Sequence, residues 1–170
     1  MNELAEHMTQ AARAATARSR RPKDAATLIL IDRAGATPKV LLGKRHHGHV
    51  FLPGKFVFPG GRLEPHDRRA PVAGALDPHV EAKLMRLVQR PSRDKARALA
   101  VAAVREAFEE TGLLIGRKVD GARTDAADPF AAAGVRPDLS ELHFVARAVT
   151  PPGRPRRFDT RFFAADAALI

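Results

Sequence analysis

The sequence predicts a single α/β domain, residues 24–170, preceded by a basic arm, residues 1–23. Three observations lead there: strand-like and helix-like runs share the chain, a length of 170 residues is about one domain's worth, and 45% hydrophobic composition is enough for a core of ordinary size. Cysteine is absent, so a disulfide framework, a thiolate metal site and a cysteine nucleophile are excluded. Any metal must be held by carboxylate, histidine or carbonyl groups. The longest apolar stretch, Ala25 to Ile31, falls far short of the roughly 18 residues of a membrane span. A soluble, cytoplasmic protein without a membrane partner is expected. Lys plus Arg number 29 against 19 Asp plus Glu, a net charge of +10, which points to a polyanionic partner: nucleic acid, an acidic membrane surface or a phosphorylated small molecule. An Ala- and Arg-rich compositional habit of the source genome would raise the charge equally well. With no Tyr or Trp and only 9 Phe, few side chains can stack on bases, so a nucleic-acid partner is disfavoured.

The elements follow in chain order. Residues 1–23 are Ala-rich and end in Arg18, Arg20, Arg21 and Lys23, and the Arg21-Pro22 step closes a frayed helix. Glu3 and Glu6 and the lack of an apolar core argue against a targeting peptide. Ala25 to Asp32 and Lys39 to Leu42 read as two strands of a hairpin about the turn residues Arg33 to Pro38. A third strand, Lys55 to Phe58, runs into Pro59-Gly60-Gly61, where a sharp turn is expected. Asp77-Pro78 starts a helix through about Val88, with Val80, Leu84 and Leu87 at helical spacing, and Arg90-Pro91-Ser92 breaks it. A second helix runs from about Arg93 to Thr111 and stops at Gly112. Residues 116–137 look like an excursion with a short helix around Pro129 to Ala133. Two strands, Leu142 to Val149 and Phe158 to Ala164, flank the turn Pro151-Pro152-Gly153.

The second helix carries the chemistry. At 100° per residue, Val101, Val104 and Phe108 cluster on one side while Glu106, Glu109 and Glu110 gather nearly opposite. Like charges at i,i+4, such as Glu106 and Glu110, destabilise a helix by roughly 0.2–0.5 kcal/mol, and anions in the C-terminal turns oppose the macrodipole. A solvated acidic face, relieved by Arg105 pairing to Glu109, is the plain reading of such a pattern. Three glutamates within five residues of a strongly basic chain, beside a Gly-rich turn able to offer a backbone carbonyl, favour a site for a hard divalent cation.

The run Arg105-Glu106-Ala107-Phe108-Glu109-Glu110-Thr111-Gly112-Leu113 resembles the signature of the Nudix hydrolase superfamily, Gly-x5-Glu-x7-Arg-Glu-U-x-Glu-Glu-x-Gly-U, with U aliphatic. Gly61 aligns with the opening Gly, and Asp67 stands at the first Glu. Residues 68–104 stand where the pattern has seven, an insertion of about 30 residues, at about 68–97. Such an insertion after Phe-Pro-Gly-Gly is similar to the CoA and acyl-CoA diphosphatase branch. Leu41, Leu42, Arg45, Gly54 and Phe58 to Gly61 are in register with that branch's upstream motif, while Gly43, His46 and Val50 depart from it. Thr150-Pro151 and Arg157-Phe158-Asp159-Thr160-Arg161-Phe162-Phe163 resemble it too.

The resemblance implies a Nudix-type α/β/α sandwich with a mixed β-sheet, and a truncated C-terminal part, because family members continue past the last strand. It implies metal-dependent hydrolysis of a pyrophosphate bond in a nucleoside diphosphate linked to another group. Arg105, Glu106, Glu109 and Glu110 would be the catalytic set, with Arg105 orienting the glutamates by ion pairing. Glu106, Glu109, Glu110 and the Gly60 carbonyl would hold Mg²⁺ or Mn²⁺, with Asp67 a water-mediated or outer ligand. Arg45, Gly61, Arg157 and Arg161 would bind substrate, with Arg156 a further candidate. The leading substrate is CoA or acyl-CoA, giving 4′-phosphopantetheine and adenosine 3′,5′-bisphosphate. ADP-ribose, a dinucleoside polyphosphate or a nucleoside triphosphate is the alternative within the chemistry, and a catalytically silent nucleotide- or nucleic-acid-binding module the alternative outside it. His46, His47 and His49 read as substrate-side or surface histidines, since no carboxylates support a metal cluster there. Unpaired strand edges would favour a homodimer.

Overall fold

The structure, a computed structural model, describes residues 21–45, 48, 54–120, 128–154 and 156–170. The expected helical arm, apart from its last residues, and the three histidines of the 46–49 segment lie outside the described residues. Four strands form the path β2 (Lys39–Val40), β1 (Lys23–Asp32), β9 (Phe158–Asp166), β8 (His143–Val149), and β5 (Gly60–Arg62) pairs with β1 at its other end. The sheet is mixed: β1 and β9 run parallel, from Lys23↔Phe158 to Ile31↔Asp166, and the remaining pairs are antiparallel. Two small hairpins stand apart, β3 (Gly43–Lys44) with β4 (Phe56–Val57) and β6 (Arg117–Lys118) with β7 (Val135–Arg136).

Helix α1 (Pro78–Met85) starts where Asp77 accepts hydrogen bonds from the His79 and Val80 amides, and Pro78 supplies a preset φ at its first position. It ends earlier than expected. Arg86 is already extended and Leu87 sits at φ 54, 93% exposed, with its carbonyl held by Arg147 Nη1 at 2.7 Å. Leu87 is therefore outside the helix and outside the core. Helix α2 (Arg93–Thr111) has the bounds its caps dictate: Ser92 Oγ accepts from the Lys95 amide, and Gly112 takes the left-handed conformation at φ 74 while its N–H donates to the Phe108 carbonyl. Every residue from Ala98 to Val104 is buried, so α2 is covered on all sides through its middle. Five of the residues from Ala96 to Ala103 are alanines, small enough to let neighbours approach from every direction.

The core joins Leu28 and Leu30 of β1, Phe163 and Ala165 of β9, Leu99, Val101 and Val104 of α2, and Val80 and Leu84 of α1. Both helices thus lie on one face of the sheet. Helix α3 (Pro129–Ala132), started by Asp128, brings Phe130 to within 5.4 Å of the Phe108 ring. The hairpin of β6 and β7 around α3 was not foreseen; its strands of two residues each carry too little pattern to read. The expected turn at Pro59-Gly60-Gly61 is also corrected, because Gly60–Arg62 is a strand. Ala26↔Gly61 and Thr27↔Gly60 face each other, and a Cβ on Gly60 would stand 2.5 Å from the Ala26 carbonyl oxygen. The glycines serve close approach rather than reversal.

At one end of the sheet an ionic ladder ties four elements together. Arg147 on β8 grips Asp159 on β9 with two bonds of 2.7 and 2.8 Å, and Arg161 Nη1 reaches Asp159 and the Asp24 carboxylate at 3.0 Å. Lys95 in the first turn of α2 closes the ladder on Asp24 at 2.7 Å. Burial opposes the charge of Asp159, but Arg147, Arg161 and Lys95 outweigh it and hold the carboxyl below its ordinary 3.8. A depressed carboxyl stabilises the fold above its unfolded value and loses that contribution as the pH falls through the folded one. Asp159→Asn is expected to lower stability by roughly 3 kcal/mol near neutrality, since it leaves Arg161 buried with one partner fewer. In urea unfolding the difference from the parent should shrink steadily below pH 3.8; a pH-independent difference would be packing alone.

Candidate active site

The acidic face of α2 meets the sheet along β5. Leu28 N–H donates to the Pro59 carbonyl and Leu63 N–H to the Asp24 carbonyl, which makes Ala26↔Gly61 a hydrogen-bonded pair and Thr27↔Gly60 and Ala25↔Arg62 non-bonded ones. The carbonyls of Gly60 and Arg62 therefore turn away from β1, along the free edge of β5. Arg105 Nη2 donates to the Arg62 carbonyl at 3.0 Å. Gly61 itself lies against Glu106: a Cβ there would stand 2.3 Å from the Glu106 carboxyl carbon. Only a glycine lets that carboxylate reach the strand.

Arg105 is the hub. Its Nε and Nη2 hold Asp67 at 2.8 and 3.2 Å, and its Nη1 reaches Glu106 Oε1 at 2.9 Å and both Glu109 oxygens at 3.0 Å. Asp67, fully buried in the 3-10 turn Pro65–Arg68, also accepts the Glu64 amide at 2.7 Å. Its carboxylate is thus occupied by Arg105 and by backbone, and it meets the glutamates through the guanidinium. Burial works against the charge of Arg105, but its hydrogen bonds to Asp67 and Glu109 and the charges of Asp67 and Glu106 hold its pKa above the ordinary value. Glu106 is raised: burial is the largest cause, the Arg105 charge and hydrogen bond oppose it, and Glu109 and Glu110 push further up. Glu109 and Glu110 are exposed.

Glu106, Gly60 and Gly61 line a cleft of about 670 Å³ on the sheet face opposite α2, where Thr27, Thr160 and Phe162 form the floor. The β3–β4 hairpin supplies Phe56 and, just past β3, Arg45, whose buried Nε has no hydrogen-bond partner among the described residues. Arg156 lines the same cleft, as do Phe58 and Phe158, side chains that strand patterning alone did not single out. Two expected substrate residues are elsewhere. Arg161 is 2% exposed and shares the parity of Phe163 and Ala165, so it faces α2 within the ionic ladder. Arg157 donates its Nε to the Thr150 carbonyl at 3.0 Å and does not line the cleft.

The donor set fits a hard cation by its chemistry: three carboxylates and a carbonyl on an unpaired strand edge, with Glu109 and Glu110 adding to the burial that raises Glu106. The carboxylates do not converge, however. Among the described residues no group of three or more His, Asp or Glu stands close enough to hold an ion, and Arg105 sits between Glu106 and Glu109.

A carboxyl raised by folding makes its charged form a burden on stability, absent below the ordinary 4.5 and fully present above the folded value. Glu106→Gln is therefore expected to raise the urea midpoint at about pH 7 and to leave it nearly unchanged at about pH 3.5. A lowered midpoint at neutrality would mean that the charge of Glu106 stabilises the fold.

No protein-family model matches the chain. The crystal structure of a Nudix hydrolase from Alicyclobacillus acidocaldarius overlays with a TM-score of 0.61 at 34% identity, over 86% of this chain and 70% of that one. A MutT/nudix family protein from Enterococcus faecalis overlays with a TM-score of 0.48 at 17% identity, over 96% of this chain and 43% of that one. The identity and coverage of the first, joined to a mixed sheet carrying the Arg-Glu helix against a Gly-Gly strand, show that the chain belongs to the Nudix hydrolase family.

Proposed function

We propose that the protein hydrolyses a pyrophosphate bond in a nucleoside diphosphate linked to another group, with CoA or acyl-CoA as the substrate and adenosine 3′,5′-bisphosphate and 4′-phosphopantetheine as products. The observation that carries the reading is the seam of α2 and β5, where Glu106 and the outward edge of Gly60 border a cleft open enough for a nucleotide. Glu106, Glu109, Glu110 and the Gly60 carbonyl would hold Mg²⁺ or Mn²⁺, which when bound supplies charge neutralisation on the phosphates and acidifies an attacking water. Arg105 is a positioning residue in this reading: it fixes Glu106 and Glu109 and is itself anchored by buried Asp67. Arg45 and Arg156 support a substrate with phosphate beyond the pyrophosphate, because guanidinium forks match phosphate oxygens. Gly61 contributes by leaving Glu106 its place at the cleft. Arg157 and Arg161, engaged elsewhere, are left out of the substrate site.

Incubation with CoA, acetyl-CoA, ADP-ribose, a dinucleoside polyphosphate and nucleoside triphosphates, with Mg²⁺ or Mn²⁺, is expected to release adenosine 3′,5′-bisphosphate from the CoA substrates. Chelation should abolish turnover, and Glu109→Gln or Glu110→Gln should lower kcat roughly a hundredfold or more with the fold intact. Cleavage of ADP-ribose alone would keep the chemistry and overturn the substrate. If no pyrophosphate is cleaved, and nucleotide binding falls with salt but ignores both substitutions, the protein is a binding module.

A further inference from the structure

The segment 68–97, which separates the two halves of the signature, lines no part of the cleft at Glu106. It carries 8 Lys and Arg against 3 Asp and Glu, so half of the net charge of +10 is gathered in it. Part of that charge is used within the protein. Arg93 pairs with Glu81 at 2.9 Å, Lys95 with Asp24 at 2.7 Å, and Arg97 clamps the Arg68 and Ala70 carbonyls. Lys83, Arg86 and Arg90, in contrast, are exposed and have no ion pair or side-chain hydrogen bond among the described residues. Of the three acidic residues, Asp77 caps α1, Glu81 is paired, and Asp94 stands in the first turn of α2. The link from α1 to α2 is therefore a cationic corner.

Leu87 stands within this corner, between Arg86 and Arg90. Its φ of 54 is a left-handed conformation that glycine adopts freely and leucine adopts only with its Cβ crowded against a carbonyl. No other described residue except glycine has a positive φ. Packing gives nothing in return, since Leu87 is 93% exposed. The strained backbone is nevertheless fixed from two sides. The Arg86 N–H donates to the Lys83 carbonyl at 3.2 Å, and the Leu87 carbonyl accepts from Arg147 Nη1 at 2.7 Å, while the same guanidinium is held by Asp159. Met85 and Val88, its apolar neighbours in the chain, are half-buried, so the leucine projects singly from a rigid frame with cations on both sides. One apolar side chain beside uncompensated cations fits a deformable anionic surface, where the leucine enters the acyl boundary and the charges meet headgroups. No helix among the described residues is long and apolar enough to cross a membrane, and docking on a surface requires none.

We propose that this corner docks the protein reversibly on an anionic lipid surface, with Leu87 in the interface and Lys83, Arg86 and Arg90 against acidic headgroups. The proposal requires nothing of the hydrolytic reading. The full chain is sedimented with vesicles of phosphatidylcholine and phosphatidylglycerol in equal parts, and with vesicles of phosphatidylcholine alone, at an ionic strength of about 0.1 M. Binding is expected to the mixed vesicles only, and it should weaken as salt is added. Leu87→Gly relieves the backbone, so its thermal transition should be maintained or raised while vesicle binding falls at least about tenfold. Arg86→Gln with Arg90→Gln should weaken binding by about tenfold as well. The chain has no Trp, so Leu87→Trp places a single indole at the corner, and its emission should shift to the blue on the mixed vesicles. Should Leu87→Gly fail to fold, the arginine pair and the indole carry the test. Absence of binding to the mixed vesicles, binding unchanged in the folded variants, or an unshifted indole emission would each overturn the proposal. Tighter binding to polyglutamate than to the mixed vesicles would overturn it too, by making an acidic protein the partner.

Discussion

One guanidinium organises the whole acidic end of the molecule. Arg105 distributes its donors over Asp67 in the 3-10 turn, the Arg62 carbonyl on β5, Glu106 beside it and Glu109 one turn on. Without it, Asp67 would be a fully buried carboxylate left with a backbone amide and the more distant His66 imidazole, and breaking such a pair costs about 3–5 kcal/mol. The same side chain lets α2 end in Glu-Glu with no basic residue in its last turn, against the preference of the helix dipole. Burial raises the pKa of Glu106, with Glu109 and Glu110 adding to it against the pull of Arg105. A fold selected for stability alone would have no reason to bury that carboxylate against a strand of glycines.

The opposite end of α2 is held by a different set of charges. Lys95, Asp24, Arg161, Asp159 and Arg147 run as alternating signs from the first helical turn through β1 and β9 to β8. Between the two ionic ends the helix is buried among alanines and branched residues, so it has little freedom to slide or rotate. The glutamates are therefore presented by a rigid element anchored at both ends. The cleft beside them has walls built from separate hairpins and turns.

What could be read in advance follows the range of the signals. Helix α2 was legible from end to end because its stops are local: Ser92 caps one end and Gly112 the other, and the acidic face is a matter of counting at 100° per residue. The first hairpin and the two late strands were legible for the same reason. Strand β5 was not, since glycines read as a turn unless the strand they approach is known, and β1 lies about thirty residues upstream. Arg161 was misplaced because its face is set by the parallel pairing of β9 with β1, a contact across most of the chain. Asp67 was underestimated for a similar cause: its partner Arg105 is separated from it by the long segment between the two halves of the signature.

Net charge, the first feature to suggest a polyanionic partner, turns out to describe the surface poorly. Arg97 clamps carbonyls, Arg105 and Arg161 are ion-paired in largely buried settings, Arg117 and Arg147 hold aspartates, and Arg157 holds a carbonyl. These arginines serve cohesion, and their positive charge is compensated at short range or directed inward. What matters for recognition is where guanidiniums are left without such partners beside a space large enough for a ligand. Arg45 and Arg156 at the cleft meet that description. Among the described residues the basic composition therefore matters for recognition at the cleft, where guanidinium donors stand beside a space large enough for an anion.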